Sequence, residues 1–104
     1  MQIQFNTDKT INGDERHQDY FTSQISEELK NYQSKIKRIE VHISDENGKK
    51  EGINDIRCLL EAKLEGRQPI AVSNQANTIE QSVSGAIDKL KASLKTILGR
   101  ITNH

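Results

Sequence analysis

The chain of 104 residues is poor in several residue types that mark particular classes of protein. It has one cysteine, so it cannot form an intramolecular disulfide, and a reducing cytoplasm is the expected compartment. No apolar run approaches the roughly 18 residues that a membrane-spanning helix needs, and the first residues lack the hydrophobic segment of a signal peptide. We therefore expect a cytoplasmic protein without a membrane partner.

The chain also lacks an excess of charge of either sign. Its 15 basic and 15 acidic side chains cancel, so nothing global draws it to nucleic acid or to an anionic membrane. Any electrostatic partner must meet a local patch. Hydrophobic residues make up 33% of the chain and the mean hydropathy is −0.77, which is low for a globular domain, yet the apolar residues recur at regular spacing. The length predicts one folded domain, residues 1–104.

Sequence patterns typical of enzymes and metal sites are missing as well. No serine lies in a G-x-S-x-G elbow, and there is no P-loop and no G-x-G-x-x-G motif. The three histidines, His17, His42 and His104, are far apart and have no metal-ligand spacing. A calcium loop of the EF-hand type beginning at Asp45 would need glycine where Lys50 stands. We therefore predict no enzymatic activity, no cofactor, no metal and no small-molecule substrate.

The most regular part of the sequence runs from Ile43 to Leu64. Asn47-Gly48 predicts the tight turn of a β-hairpin, with Gly52 as a second pivot. The residues after it alternate between an apolar face and a charged face, and Leu59 is the apolar exception on the charged face. Cys58 lies on the apolar face, so we interpret it as a buried hydrophobic residue and not as a nucleophile.

Shorter patterns predict the other elements. Alternating segments indicate strands at Gln2 to Thr7, at Arg38 to Ser44, and from Ile70 onward. Helical spacing predicts one helix from Asp14 to about Asn31 and another that begins at Asn77 or Thr78 and ends at Gly99. Gly85 inside the second helix predicts that the helix backbone approaches a neighbouring element closely there. The apolar stripe of the first helix reads Tyr20, Phe21, Ile25, Leu29 and Tyr32.

The element order predicts an α+β fold, β-α-β-β-β-α. A right-handed crossover through the first helix makes strand 1 parallel to strand 2, in a four-stranded mixed sheet with both helices on one face. The other face is expected to be open and polar. Because that face carries no aromatic residue, it does not offer the base-stacking platform of single-stranded RNA binders. Its predicted members are Gln2, Gln4, Glu40, His42, Arg57, Glu61 and Lys63.

This order of elements resembles the ribosome hibernation-promoting factor and ribosome-associated translation inhibitor family. The residues that carry the resemblance are the charged hairpin after Asn47-Gly48, the strand RCLLEA at 57–62, and the closing helix with AIDKL at 86–90. The similarity extends from the first strand to about Leu98. It implies a double-stranded-RNA-binding-like fold and a short family form, since the sequence stops soon after the last helix.

The resemblance also implies a function. Family members are not enzymes; they bind the small ribosomal subunit in the channel for messenger and transfer RNA, block translation, and protect idle ribosomes. Their last helix often carries a basic row at a lysine and then three, seven and eleven positions on, which meets several phosphates at once. Here that row reads Lys89, Ala92, Thr96 and Arg100, so its ends fit and its middle does not.

The resemblance therefore predicts rRNA phosphate contacts at a reduced set of cations. Glu27 and Glu28 depart from the family, because relatives often have basic residues there. These departures favour an alternative, a protein-interaction module on the same scaffold that no longer binds RNA. We expect a monomer off the ribosome, because the edge strands are short and Pro69 blocks pairing at one of them. The predicted rRNA-binding residues are Lys89, Arg100, Lys91, Lys95, Lys30, Lys35, Lys37 and Arg38.

Overall fold

The computed structural model has a four-stranded sheet with two helices on one face. It describes the backbone of residues 1–7, 15–45 and 56–102, and the side chains of residues 1–6, 18–45 and 56–98; the predicted turn at Asn47-Gly48 and helix start at Asp14 lie outside these ranges. The α+β class and the β-α-β-β-β-α order are confirmed. The elements are β1 (Gln2–Thr7), α1 (Glu15–Glu28), a 3-10 helix (Lys30–Lys35), β2 (Ile36–Asp45), β3 (Ile56–Leu64), β4 (Ile70–Ala76) and α2 (Ile79–Thr102).

The sheet has the strand order β1-β2-β3-β4. β1 pairs with β2 in parallel, as the helical crossover requires, whereas β2–β3 and β3–β4 are antiparallel. β1 and β4 are the two edges. The mixed sheet predicted from the sequence is thus confirmed. The last strand, β4, continues to Ala76 and is longer than the short strand that was expected after Ile70.

The core lies between the sheet and the helices. The inward residues of β2 face those of β3 in register, with Ile39 opposite Ala62, Val41 opposite Leu60, and Ile43 opposite Cys58. Full burial of each large apolar side chain stabilises the fold by about 1.5–3 kcal/mol. The buried residues that the helices add are Phe21, Ile25 and Leu29 from the α1 segment, and Val83, Ala86, Ile87, Leu90, Leu94 and Leu98 from α2.

The α1 segment differs from its prediction in two ways. The α-helix ends at Glu28, and the chain continues as a 3-10 helix instead of running regularly to Asn31. Tyr20, expected in the apolar stripe, is 58% exposed and places its ring edge-on to Phe21, with 5.1 Å between ring centroids. Phe21, Ile25 and Leu29 already fill the buried side of α1. Because Tyr20 precedes Phe21 by about 100° around the helix, its side chain points away from that side.

A β-bulge marks the beginning of β2. The register with β3 shifts between Ile36 and Arg38, so that Ile36 and Ile39 are both buried although they are three positions apart. In a regular strand these two residues would lie on opposite faces. As a result, Lys37 projects at the bulge and Arg38 lies on the open face of the sheet.

α2 begins at the predicted cap and runs past the predicted end. The Thr78 hydroxyl accepts a hydrogen bond from the Gln81 backbone N–H at 3.1 Å, as an N-cap residue does. Gly99 does not end the helix, which continues to Thr102. A glycine costs a helix interior only about 1 kcal/mol relative to alanine, so one glycine alone is a weak stop signal.

Gly85 lies close to a neighbouring element, as predicted, and the neighbour is a side chain of β4. The Asn74 amide lies over it and donates hydrogen bonds to the carbonyl oxygens of Gln81 at 3.3 Å and Ser82 at 3.4 Å. A Cβ at Gly85 would lie 2.6 Å from the Asn74 Cγ, closer than two such carbons approach. The glycine therefore lets the end of β4 join the first turns of α2.

This contact predicts strong coupling between Gly85 and Asn74. In an Asn74→Ala background, Gly85→Ala should stabilise the protein by about 1 kcal/mol, because alanine is the better helix former. In the wild-type background the same change must displace the Asn74 amide, and we expect the gain to vanish or to reverse. Urea unfolding of the four proteins measures both effects. If Gly85→Ala changed the free energy of unfolding equally in the two backgrounds, the contact between Gly85 and Asn74 would be contradicted.

Candidate nucleic-acid interface

Both helices run toward the same end of the sheet. α1 follows β1 and leads into β2 through the 3-10 helix, and α2 returns along β4 so that Ile97 reaches the turn between β3 and β4. The Glu65 backbone N–H donates to the Lys35 carbonyl oxygen at 3.1 Å, which joins that turn to the 3-10 helix. The later part of α2 and the lysines that follow α1 are therefore held near one end of the fold.

The lysines of α2 do not form one patch. Lys89 Nζ donates to the Ser73 carbonyl oxygen of β4 at 2.8 Å, whereas Lys91 Nζ lies 2.8 Å from the Glu28 carboxylate of α1. Two positions along an α-helix correspond to about 200° of rotation, so these side chains leave α2 in nearly opposite directions. Lys95 is one turn beyond Lys91 and shares its side of the helix.

The basic row that the resemblance implies on α2 has no cation at its two middle positions. Ala92 and Thr96 are exposed, and the Thr96 hydroxyl donates back to the Ala92 carbonyl oxygen at 3.0 Å. This bond uses the hydroxyl proton within the helix. Arg100 belongs to α2, but its side chain lies outside the described residues. Of this row, the described side chains thus offer one cation, Lys89.

The cluster after α1 is spread over different surfaces. Lys30 Nζ lies 3.3 Å from Glu27 Oε1, and Lys37 Nζ lies 3.9 Å from Glu65 Oε1. Arg38, on the open face of the sheet, lies 3.8 Å from Glu40 and is separated by the sheet from the helices. The structure therefore does not bring Arg38 together with the lysines of α2.

The chain's own oxygens already bind most of the predicted cations. Within residues 18–45 and 56–98, Lys35 and Lys95 make no such bond. Lys91 has the shortest ion pair, and the hydrogen bond and the charge of Glu28 raise the pKa of its ammonium group. Sequence reasoning missed these partners, because they depend on how the helices and the sheet pack.

The open face of the sheet is polar, as predicted, and charged groups on it pair with one another. Glu40 and Glu61 are direct partners across β2 and β3, a placement that repels. Arg38 lies beside Glu40, and His42 Nε2 lies 3.2 Å from Glu61 Oε1, which is an ion pair when the imidazole is protonated. Leu59 is half-buried among these groups. The acidic pair across the strands was not predicted.

No arrangement in the described part of the chain points to a metal site or a membrane span. Groups of three or more His, Cys, Asp or Glu side chains that could hold a metal ion are not found there. No described helix is long and apolar enough to cross a membrane. A shallow depression lined by Arg57, Ser73, Gln75 and Lys89, together with Asn74, lies at the β4 edge and contains no carboxylate.

Cys58 is fully buried in the core, which confirms the interpretation as a hydrophobic residue. Burial raises the pKa of its thiol to about 12, so the reactive thiolate is nearly absent near neutral pH. It therefore has no part in the surface chemistry of the candidate interface.

Burial of Cys58 predicts protection from thiol reagents. At pH 8 the native protein should react with Ellman's reagent at least a hundred times more slowly than the urea-unfolded chain, because the native thiol is both neutral and inaccessible. Absorbance at 412 nm follows the reaction. Similar rates for the native and unfolded protein would show that the β3 core opens readily.

The comparisons with known proteins agree with this fold. The model of the family described as "Sigma 54 modulation protein / S30EA ribosomal protein" matches residues 4–102. The N-terminal domain of Protein Y from Thermus thermophilus superposes with a TM-score of 0.73 at 18% identity, over 92% of this chain and 98% of that one. A ribosomal subunit interface protein from Coxiella burnetii gives a TM-score of 0.73 at 17% identity, over 95% and 99%. No curated protein sequence matches the chain.

Proposed function

The chain belongs to the sigma 54 modulation protein / S30EA ribosomal protein family, whose members associate with ribosomes, and from this premise we propose that it binds the small ribosomal subunit. Its site there is the RNA channel that messenger and transfer RNA would occupy. Occupancy inhibits translation and protects idle ribosomes under stress. The observation that carries the proposal is the family match, which covers residues 4–102 and thus every described element except the first residues of β1.

The proposed contacts are to phosphates and not to bases. Lysine ammonium groups on long, exposed side chains meet phosphate oxygens without reading sequence. Lys95 and Lys35 are the first contributors in this proposal, because within the described ranges neither is bound to the chain's own oxygens. Lys89 contributes with the donors that remain after its bond to Ser73, since an ammonium group has three. Lys30, Lys37, Lys91 and Arg100 complete the helix side, and Arg38 stands apart on the open face.

The Coxiella burnetii relative is a ribosomal subunit interface protein, which supports association of this chain with the ribosome. The zero net charge of the chain leaves local placement as the source of RNA affinity. In this proposal the protein is a reversible occupant of the channel with no chemical step.

Two charge-reversed single variants test the interface. Lys95→Glu should weaken co-sedimentation with small ribosomal subunits by about tenfold or more, because it places a carboxylate at a lysine proposed as a first phosphate contact. Lys63→Glu makes the same change in net charge on the open face and should leave binding within about threefold of wild type.

The folding of both variants is checked by circular dichroism. Loss of binding in the open-face variant alone would locate the ribosome contacts on the open face and contradict the site assignment. Equal loss in both would mean that overall charge and not position governs binding, and it would contradict the site assignment.

Salt dependence gives an independent test. If about four phosphates are contacted, the slope of log K against log salt should be about −3 to −4, so affinity should fall about 100-fold between about 50 and 200 mM salt. Sedimentation with purified bacterial ribosomes at the two salt concentrations measures it. Binding that does not respond to salt would contradict a phosphate interface.

The alternative function has two observations in its favour. Many of the candidate cations are bound to this chain's own oxygens, and the open face presents a half-buried Leu59 beside charged groups. Leu59→Lys would disturb that face and leave the helices intact. If this variant lost a protein partner while ribosome binding persisted, the two surfaces would serve separate functions.

A further inference from the structure

The end of α1 carries charges of the unfavourable sign. Glu27 and Glu28 occupy its last two positions, and its last turn contains no basic residue. The carboxyl end of a helix bears partial negative charge, so carboxylates there are repelled by the helix. Residues that break a local rule in this way often serve an interaction elsewhere in the fold.

The interaction that Glu28 serves lies across the helix interface. Its Oε2 is 2.8 Å from Lys91 Nζ, with side chains 43% and 41% exposed, so the pair is open to solvent. Gln24, one turn before Glu28, donates to the Ser84 hydroxyl at 3.1 Å and holds the two helices together at the same seam. The packing of the two helices therefore places the Glu28 carboxylate within reach of Lys91.

We propose that Glu28 is an internal competitor for the cation Lys91 and thereby sets the RNA affinity of the interface. A phosphate that binds Lys91 must either displace the Glu28 carboxylate or bind a remaining donor of the ammonium group against the repulsion of the Glu28 charge. This inference rests on the proposed function, because it concerns the regulation of the same surface. Glu27 acts in the same way on Lys30, but more weakly, since that pair is 3.3 Å apart and the side chains are 75% and 62% exposed.

Competition of this kind favours a polynucleotide backbone over isolated phosphates. Lys95 is a neighbour of Lys91 on the helix surface and has no acidic partner within the described side chains. A phosphate held by Lys95 brings the next phosphate of the same backbone near Lys91 at high effective concentration. A single phosphate group lacks this advantage, so the ion pair between Glu28 and Lys91 stays intact in its presence.

The test compares ribosome binding of variants that differ in one charge. Glu28→Gln keeps the shape of the side chain and should bind small ribosomal subunits about fivefold more tightly at about 50 mM salt, from the Coulomb energy of one charge at close range in water. Glu80→Gln makes the same net-charge change in the first turn of α2, away from Lys91, and should stay within about twofold of wild type.

Lys91→Met completes a double-mutant cycle. In the Lys91→Met background, the gain from Glu28→Gln should disappear, because no cation remains to be released. Wild-type affinity for Glu28→Gln, or an equal gain with and without Lys91, would overturn the competitor role while ribosome binding itself stands. Failure of wild type and every variant to bind at low salt would instead refute the proposed function, and the competitor role with it.

Discussion

The pairing of β2 with β3 is the constraint on which the rest of the structure depends. Inward residues face inward residues along its length, as Val41 faces Leu60 and Ile43 faces Cys58. A slip of one residue would turn this set to the open face, so burial fixes the register. β1 adds to one side and β4 to the other, and α2 follows β4 after two residues. The positions of the candidate cations therefore follow from the two central strands.

The sequence was sufficient for the fold because its signals are periodic and local. The alternation from residue 56 to residue 64 sets the faces of β3, and the apolar stripe of α2 sets the side that it buries. The bulge at Lys37 could not be predicted, since it depends on pairing between Ile36 and Leu64, which are distant in the chain. The prediction that Tyr20 belongs to the apolar stripe of α1 was wrong for a related reason. Periodicity does not show how wide the buried stripe of a helix is, and here three residues fill the space under α1.

The candidate site was predictable in its positions and not in its partners. Helical spacing locates the Cα atoms of Lys89 and Lys91, but their ammonium groups bind acceptors 16 and 63 residues away. Which acceptor a long side chain reaches depends on the packing of α2 against β4 and α1. The same holds for Arg38, which the bulge assigns to the open face. A basic row read from the sequence therefore overestimates the cations that face a partner together.

A neutral protein that binds a polyanion must separate its charges in space or exchange its internal ion pairs. This chain separates them little, since acidic residues lie beside Lys30, Lys37 and Lys91. When a phosphate takes such a lysine, the RNA releases a counterion, but the freed carboxylate attracts one from solution. Exchanged pairs thus add little to the salt slope, whereas lysines without an acidic partner add fully. The salt slope therefore reports the number of contacting lysines that have no acidic partner. The absolute affinity depends in addition on how easily the acidic side chains are displaced from the other lysines.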